Sequence, residues 1–166
     1  MPRSCRSPSR STERTRPRAA ALLLGALAAL PAAAQQAVTN TVGLSFGAFT
    51  AGAGGTLTVG STGARSSTGG VLLVNQGAGA AAQFMLSGGS SSEAVSISLP
   101  ADGTVQLSNG SQTMTLSGFT STLVNGNGML SMSGTGSFSV GATLSVGASQ
   151  AAGNYSGNFS VTVNYN

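Results

Sequence analysis

Between residues 153 and 166 apolar and polar side chains alternate. Tyr155, Phe159, Val161, Val163 and Tyr165 share one parity with Gly157 in the gap, and Ser156, Asn158, Ser160, Thr162 and Asn164 share the other. Successive side chains of a strand point to opposite faces, so residues 155–165 are expected to form one β-strand with an apolar face and a hydroxyl and amide face. Burying those five side chains is worth about 1.5–3 kcal/mol each, which a lone strand cannot collect. The strand is therefore expected in a sheet packed on a second layer, with its last aromatic holding the end of the sequence against the fold.

The same period recurs in short runs at 38–46, 56–59, 71–74, 83–87, 95–99, 104–107, 112–116, 119–124, 129–132, 137–140 and 143–146, separated by Gly, Asn, Ser and Pro. Such runs predict an all-β sandwich or barrel, and no segment reads as a convincing helix. Pro100-Ala101-Asp102-Gly103, Asn109-Gly110 and Asn125-Gly126-Asn127-Gly128 place residues tolerant of positive φ between apolar runs and are expected to close hairpins. The run 78–82 is rich in alanine, but Gly77 and Gly79 weaken a helical turn there; it is expected as loop or strand edge. Met85, Met114, Met129 and Met132 read as core filler.

The polar faces carry Ser, Thr, Asn and Gly where many sheets carry Lys and Glu. Charge is a common guard against pairing between sheet edges. Here either the edges are covered or pairing is the function.

Residues 1–34 have the layout of a secretory signal: Arg3, Arg6, Arg10, Arg14, Arg16 and Arg18, an apolar stretch from Ala19 to Leu30, then Ala32-Ala33-Ala34 before Gln35. Cleavage is expected between Ala34 and Gln35. Twelve apolar residues fall short of the roughly 20 needed to span a bilayer, and no later segment is longer. Export to the periplasm, the cell surface or the medium is the expectation, with residues 35–166 as a single domain. Its length suffices to bury roughly two-thirds of the unfolded surface.

Removing the signal changes the charge. Six of the seven arginines, Glu13 and Cys5 fall within it, so Arg65, Glu93 and Asp102 are the only charged side chains left. The basic balance of the whole sequence thus belongs to the signal, and no phosphate-neutralising patch remains for a nucleic acid. No cysteine remains for a disulfide, so the domain must hold by packing.

The chain contains no histidine and no lysine. Metal sites built on imidazole or thiolate, and nucleophilic triads needing an imidazole or lysine base, are excluded for the exported domain. Glu93 and Asp102 across Pro100 are the one pair that fits a glycosidase on paper, but Asp102 before Gly103 suits a solvated turn, and two carboxylates are few for calcium. Neither an enzymatic activity nor a cofactor is expected. Arg65, in a glycine and serine stretch, reads as a loop charge. The triplets starting at Asn154 and Asn158 match a glycosylation pattern by chance inside the strand. The glycine clusters at 52–55, 69–70 and 88–89 lack the context of a phosphate loop and read as turns.

Three sets of residues carry a resemblance: Leu44-Ser45-Phe46-Gly47; Gly63-Ala64-Arg65-Ser66 with Gly69-Gly70-Val71; and Gly153-Asn154-Tyr155-Ser156-Gly157 running to Val161-Thr162-Val163-Asn164-Tyr165. Together they resemble a bacterial exported family, domain of unknown function 4402, over about residues 38–166. More widely, the last strand is similar to that of chaperone-usher pilins, with a glycine fourteenth from the end and a penultimate tyrosine, the places of Gly153 and Tyr165. The Leu44 segment also resembles one in spore coat U proteins. These resemblances imply an immunoglobulin-like or pilin-like antiparallel β-sandwich, complete or lacking one strand.

In the pilin-like case a periplasmic chaperone, and then a strand from an identical or related subunit, fills the groove of the incomplete sandwich. Tyr155, Phe159, Val161, Val163 and Tyr165 would form the subunit or chaperone interface. Val38, Val42 and Leu44 share a parity, interrupted by Asn40, and would be the donor strand. Only residues 35–43 precede Leu44, which is short for a separate donor, and the disulfide of many pilins is missing. Two functions stay open: a fimbrial or pilus-like surface subunit assembled by strand complementation, and a complete monomeric coat or adhesion module.

Overall fold

The computed structural model describes residues 35–74 and 78–166. The expected signal segment and Ala34 of the expected cleavage site lie outside them, and Gln35 is the first described residue. Among the described residues there are twelve strands and no helix: β1 Ala37–Val42, β2 Phe49–Thr50, β3 Gly55–Val59, β4 Arg65–Gly69, β5 Leu72–Leu73, β6 Ala82–Ser87, β7 Ala94–Ser98, β8 Val105–Ser108, β9 Thr113–Ser121, β10 Asn127–Met129, β11 Gly136–Val146 and β12 Thr162–Tyr165.

All pairings are antiparallel, and β11 organises them. Val140 pairs with both Ala82 and Ser121, Thr143 with both Thr58 and Ser117, and Leu144 with both Leu57 and Leu116. A strand residue has one neighbour per edge, so β9 takes one edge of β11 while β6 and then β3 share the other. β1 extends the sheet beyond β6, β4 beyond β3, and β8 beyond β9. A second sheet runs β10-β7-β12, and β2 with β5 makes a short ribbon.

The handover from β6 to β3 falls at Gly141. A Cβ there would strike the Val59 carbonyl and the Gly60–Ser61 backbone, so only glycine lets the end of β3 come this close.

Alternation along β11 puts Phe138, Val140, Ala142, Leu144 and Val146 inward. The first two join Leu86 of β6 and Val95 and Ile97 of β7 in one apolar cluster between the two sheets. The last three join Leu57, Val59, Met114 and Leu116 in a second cluster, which the large sheet builds by curling and Phe46 and Val71 help close. Leu44, Phe119 and Phe159 pack against both. Phe84 and Phe138, cross-strand partners, stack with ring centroids 5.0 Å apart. The result is an all-β, sandwich-like antiparallel fold, as the alternation predicts.

Several expectations are corrected. Residues 155–165 do not form one strand: only Thr162–Tyr165 pairs with β7, and Ser156 makes an isolated bridge to Ser108. The runs 137–140 and 143–146 are one strand, β11, and 112–116 joins 119–121 in β9 across Gly118, at φ 57°. Arg65 starts β4 opposite Val59, so it is a strand residue rather than a loop charge. Pro100 to Gly103 links β7 of one sheet to β8 of the other and closes no hairpin.

Asn109-Gly110 lies in the loop that joins the paired strands β8 and β9, whereas the Asn125-Gly126 turn links β9 of one sheet to β10 of the other and closes only the bridge of Val124 to Asn127. At Asn125 and Gly126, with φ 51° and 73°, Asn127 N donates to Val124 O over 2.9 Å, the double positive φ of a type I′ turn. Of the four methionines only Met114 is core; Met85, Met129 and Met132 are exposed, Met132 by 86%. On β6 the inward parity belongs to Ala82 and Leu86, which turns Met85 outward.

Candidate strand-accepting groove

The segment 153–166 leaves one sheet and joins the other. At Ser156 it is bonded to β8, Ser108 N donating to Ser156 O (2.8 Å) and Ser156 N to Ser108 O (3.0 Å). From Thr162 it is bonded to β7. Between them, no backbone hydrogen bond joins residues 157–161 to any described residue.

One contribution comes from the residue two places beyond β7, Pro100. Asn166 N donates to Ala94 O (2.8 Å), and an antiparallel ladder repeats its bonded pairs every second residue, so Asn164 and Thr162 bond to Ser96 and Ser98. The next pair would set Ser160 against Pro100, which has no N–H to give. The ladder stops there. Alternation nevertheless persists through the gap, with Phe159 and Val161 half-buried and Asn158 and Ser160 exposed.

Opposite this gap the chain at Ser45 is bonded in both directions to Ala80 (2.8 Å each). Neighbouring strand residues present their N–H and C=O to opposite edges, so those of Leu44 and Phe46 are turned away from Ala80, and they have no backbone partner among the described residues. Between these two stretches lie two adjoining cavities. One, of about 820 Å³, has residues 44–52 on one wall, 149–157 on the other and Leu107, Met114 and Leu144 at its base. The other, of about 440 Å³, continues past Leu44, Phe46 and Gly157 to Phe84 and Phe159. Neither is lined by a charged side chain.

The 149–155 wall is fastened by amides. Gln150 Nε2 donates to Tyr155 Oη (2.9 Å) and to Gln112 Oε1 (3.1 Å), Ala151 N donates to Gln112 Oε1 (2.9 Å), and Tyr155 Oη donates to Ala151 O (2.9 Å). On the other wall Arg65 Nη2 donates to Ala48 O (2.8 Å).

The five residues expected as an interface divide. Tyr155 and Phe159 line the groove, whereas Val161, Val163 and Tyr165 pack half-buried against this chain's own inter-sheet cluster. Burial pushes the Tyr165 hydroxyl above its ordinary pKa, and the nearby Glu93 carboxylate adds to the shift. The expected donor residues are also placed: Val38 and Val42 lie on β1, already paired with β6, and Leu44 is an anchor between the two clusters.

Glu93 and Asp102 each hold backbone, Glu93 Oε2 accepting from Ser90 N (2.5 Å) and Asp102 Oδ1 from Gly118 N (2.7 Å). Sequence reasoning missed Leu107 and Met114 as groove floor, although their inward parity was visible. It also missed Phe49 and Gln150, for which no sequence signal exists.

A family model described as a domain of unknown function (DUF4402) matches residues 37–165. No curated protein and no solved structure matches the chain.

Proposed function

The chain belongs to the DUF4402 family, which brings no activity with it, and from the groove itself we propose that it is an exported structural surface subunit, fimbrial or pilus-like, that assembles by β-strand complementation. One observation carries this reading: the run 157–161, without backbone partners among the described residues, borders an uncharged groove whose other wall, at Leu44 and Phe46, also lacks them. An extended strand laid there would bond to both walls and put alternate apolar side chains on Leu107, Met114 and Phe159, the general mode of strand addition. A periplasmic chaperone would fill the groove first and a related or identical subunit later. The signal-like segment 1–34 supports export.

The test is a denaturing gel of material sheared from producing cells, run unboiled and boiled and probed for residues 35–166. A ladder collapsing to one band on boiling is expected. A single monomer band in both lanes overturns the proposal.

A second reading, a complete monomeric coat or adhesion module, is favoured by a different observation. The core residues are all buried by this chain's own elements, with β1 already closing the edge of β6. Solubility of the purified monomer without chaperone or added peptide supports this second reading.

A further inference from the structure

All six residues of β1 are exposed, which is true of no other strand longer than two residues. Its two valines leave 42% and 37% of their surface in solvent, at Val38 and Val42. What holds β1 is backbone pairing to β6, in the register Ala37 with Ser87 through Val42 with Gln83. A few side-chain ties are added: Asn40 Nδ2 and Thr41 Oγ1 donate to Gln83 O (3.1 and 3.3 Å), Tyr165 Oη donates to Ala37 O (3.4 Å), and Gln36 Nε2 donates to Glu93 Oε1 (3.3 Å).

Two residues beyond β1 the character of the chain changes. Leu44 packs on both apolar clusters and Phe46 is buried. Between β1 and this anchor, Gly43 stands in open space, with no atom within 4 Å of where a Cβ would be. Gly43 is exposed, and glycine gives its backbone the widest choice of directions. The inward residues of β6, Ala82 and Leu86, meet the core from β6 itself. Departure of β1 therefore opens a backbone edge and leaves the interior filled.

A bare sheet edge is a template for another strand, and the strand already shown to fit this one, residue for residue, is β1. We propose that β1 exchanges between copies of the chain, β1 of one copy pairing with β6 of a second in the register seen here, with Gly43 as the hinge. The same bonds form within a chain and between chains, so concentration and hinge geometry govern the exchange. The edge used is that of β6, while Asn40 of β1 and Gly43 also line the second cavity of the groove, so the test below reads β1 exchange and groove filling separately.

The register supplies the test. In a Cys5→Ser background of the full chain, Thr39 and Met85 are cross-strand partners. Two differently tagged versions are produced together, one with Thr39→Cys and the other with Met85→Cys. A disulfide joining the two tags is expected, several-fold more abundant than for Thr39→Cys with Ser66→Cys, whose site is exposed on β4. Chains carrying both cysteines, and a second register pair made of Ala37→Cys and Ser87→Cys, show that the geometry permits the bond.

If the doubly substituted chain closes on itself while the mixed singles cross-link no more than the control, exchange is overturned. A heat-sensitive ladder without the mixed disulfide removes β1 exchange and leaves groove filling standing. The mixed disulfide without a ladder supports exchange and removes groove filling.

Discussion

Gly141 shows how much can rest on one missing methyl. With β9 on one edge of β11 and two successive strands on the other, the backbone of β3 must pass within contact of residue 141. Gly141→Val is expected to cost about 1–3 kcal/mol, the usual range for forcing atoms into filled space, read from urea unfolding. Gly43→Ala, where nothing lies within 4 Å, is expected to stay within about 0.5 kcal/mol. Tyr165 gives a pH signature. Its folded pKa is raised above the unfolded value, by burial first and by Glu93 second. The neutral phenol is therefore favoured in the folded state, and this contribution is fully present below the unfolded pKa near 10 and lost as pH rises through the folded pKa. Thermal unfolding followed from pH 8 upward is expected to show an alkaline loss of stability that Tyr165→Phe diminishes.

At the scale of elements, β11 holds the two clusters together and β12 shows why a pattern is not a ladder. Phe138 is buried and stacked on Phe84, so Phe138→Ala is expected to cost about 3–5 kcal/mol, against about 0.5 kcal/mol or less for Met132→Ala at an exposed turn. The four methionines look alike in sequence; strand parity and turn position separate them. The interruption of β12 makes its own prediction. By NMR hydrogen exchange, the amides of Asn158 and Ser160, which have no backbone partner among the described residues, are expected to exchange far faster than those of Asn164 and Asn166, which are tied to β7. Equal protection across 158–166 would show the ladder to be continuous and the gap unreal. Parity alone reads 155–165 as one strand because it reports which face is apolar, while hydrogen bonding also needs a neighbour with N–H groups, which Pro100 denies.

For the whole molecule, the groove between residues 44–52 and 149–161 predicts that an uncharged peptide of alternating apolar residues will raise the melting temperature with concentration, as any ligand of the folded state does, and will slow exchange at 157–161; a scrambled peptide of the same composition will do neither. Much of this architecture is legible in the chain. Alternation at Leu57, Val59, Leu144 and Val146 determines strands and inward faces, because a period of two leaves only one set of side chains to bury. The Asn-Gly dipeptides determine tight turns, because few residues accept positive φ. The lack of histidine and lysine and the near absence of charge determine which chemistries residues 35–166 lack. Only the tertiary structure decided that β6 and β3 share one edge of β11, that the last segment's pairing with β7 begins only at Thr162 opposite Ser98, that β1 lies unburied on β6, and that Leu107 and Met114 floor a groove between chain segments about a hundred residues apart. Side-chain pattern fixes the face of each strand, whereas the neighbour on each edge is chosen by backbone bonds and close approaches that no local pattern records.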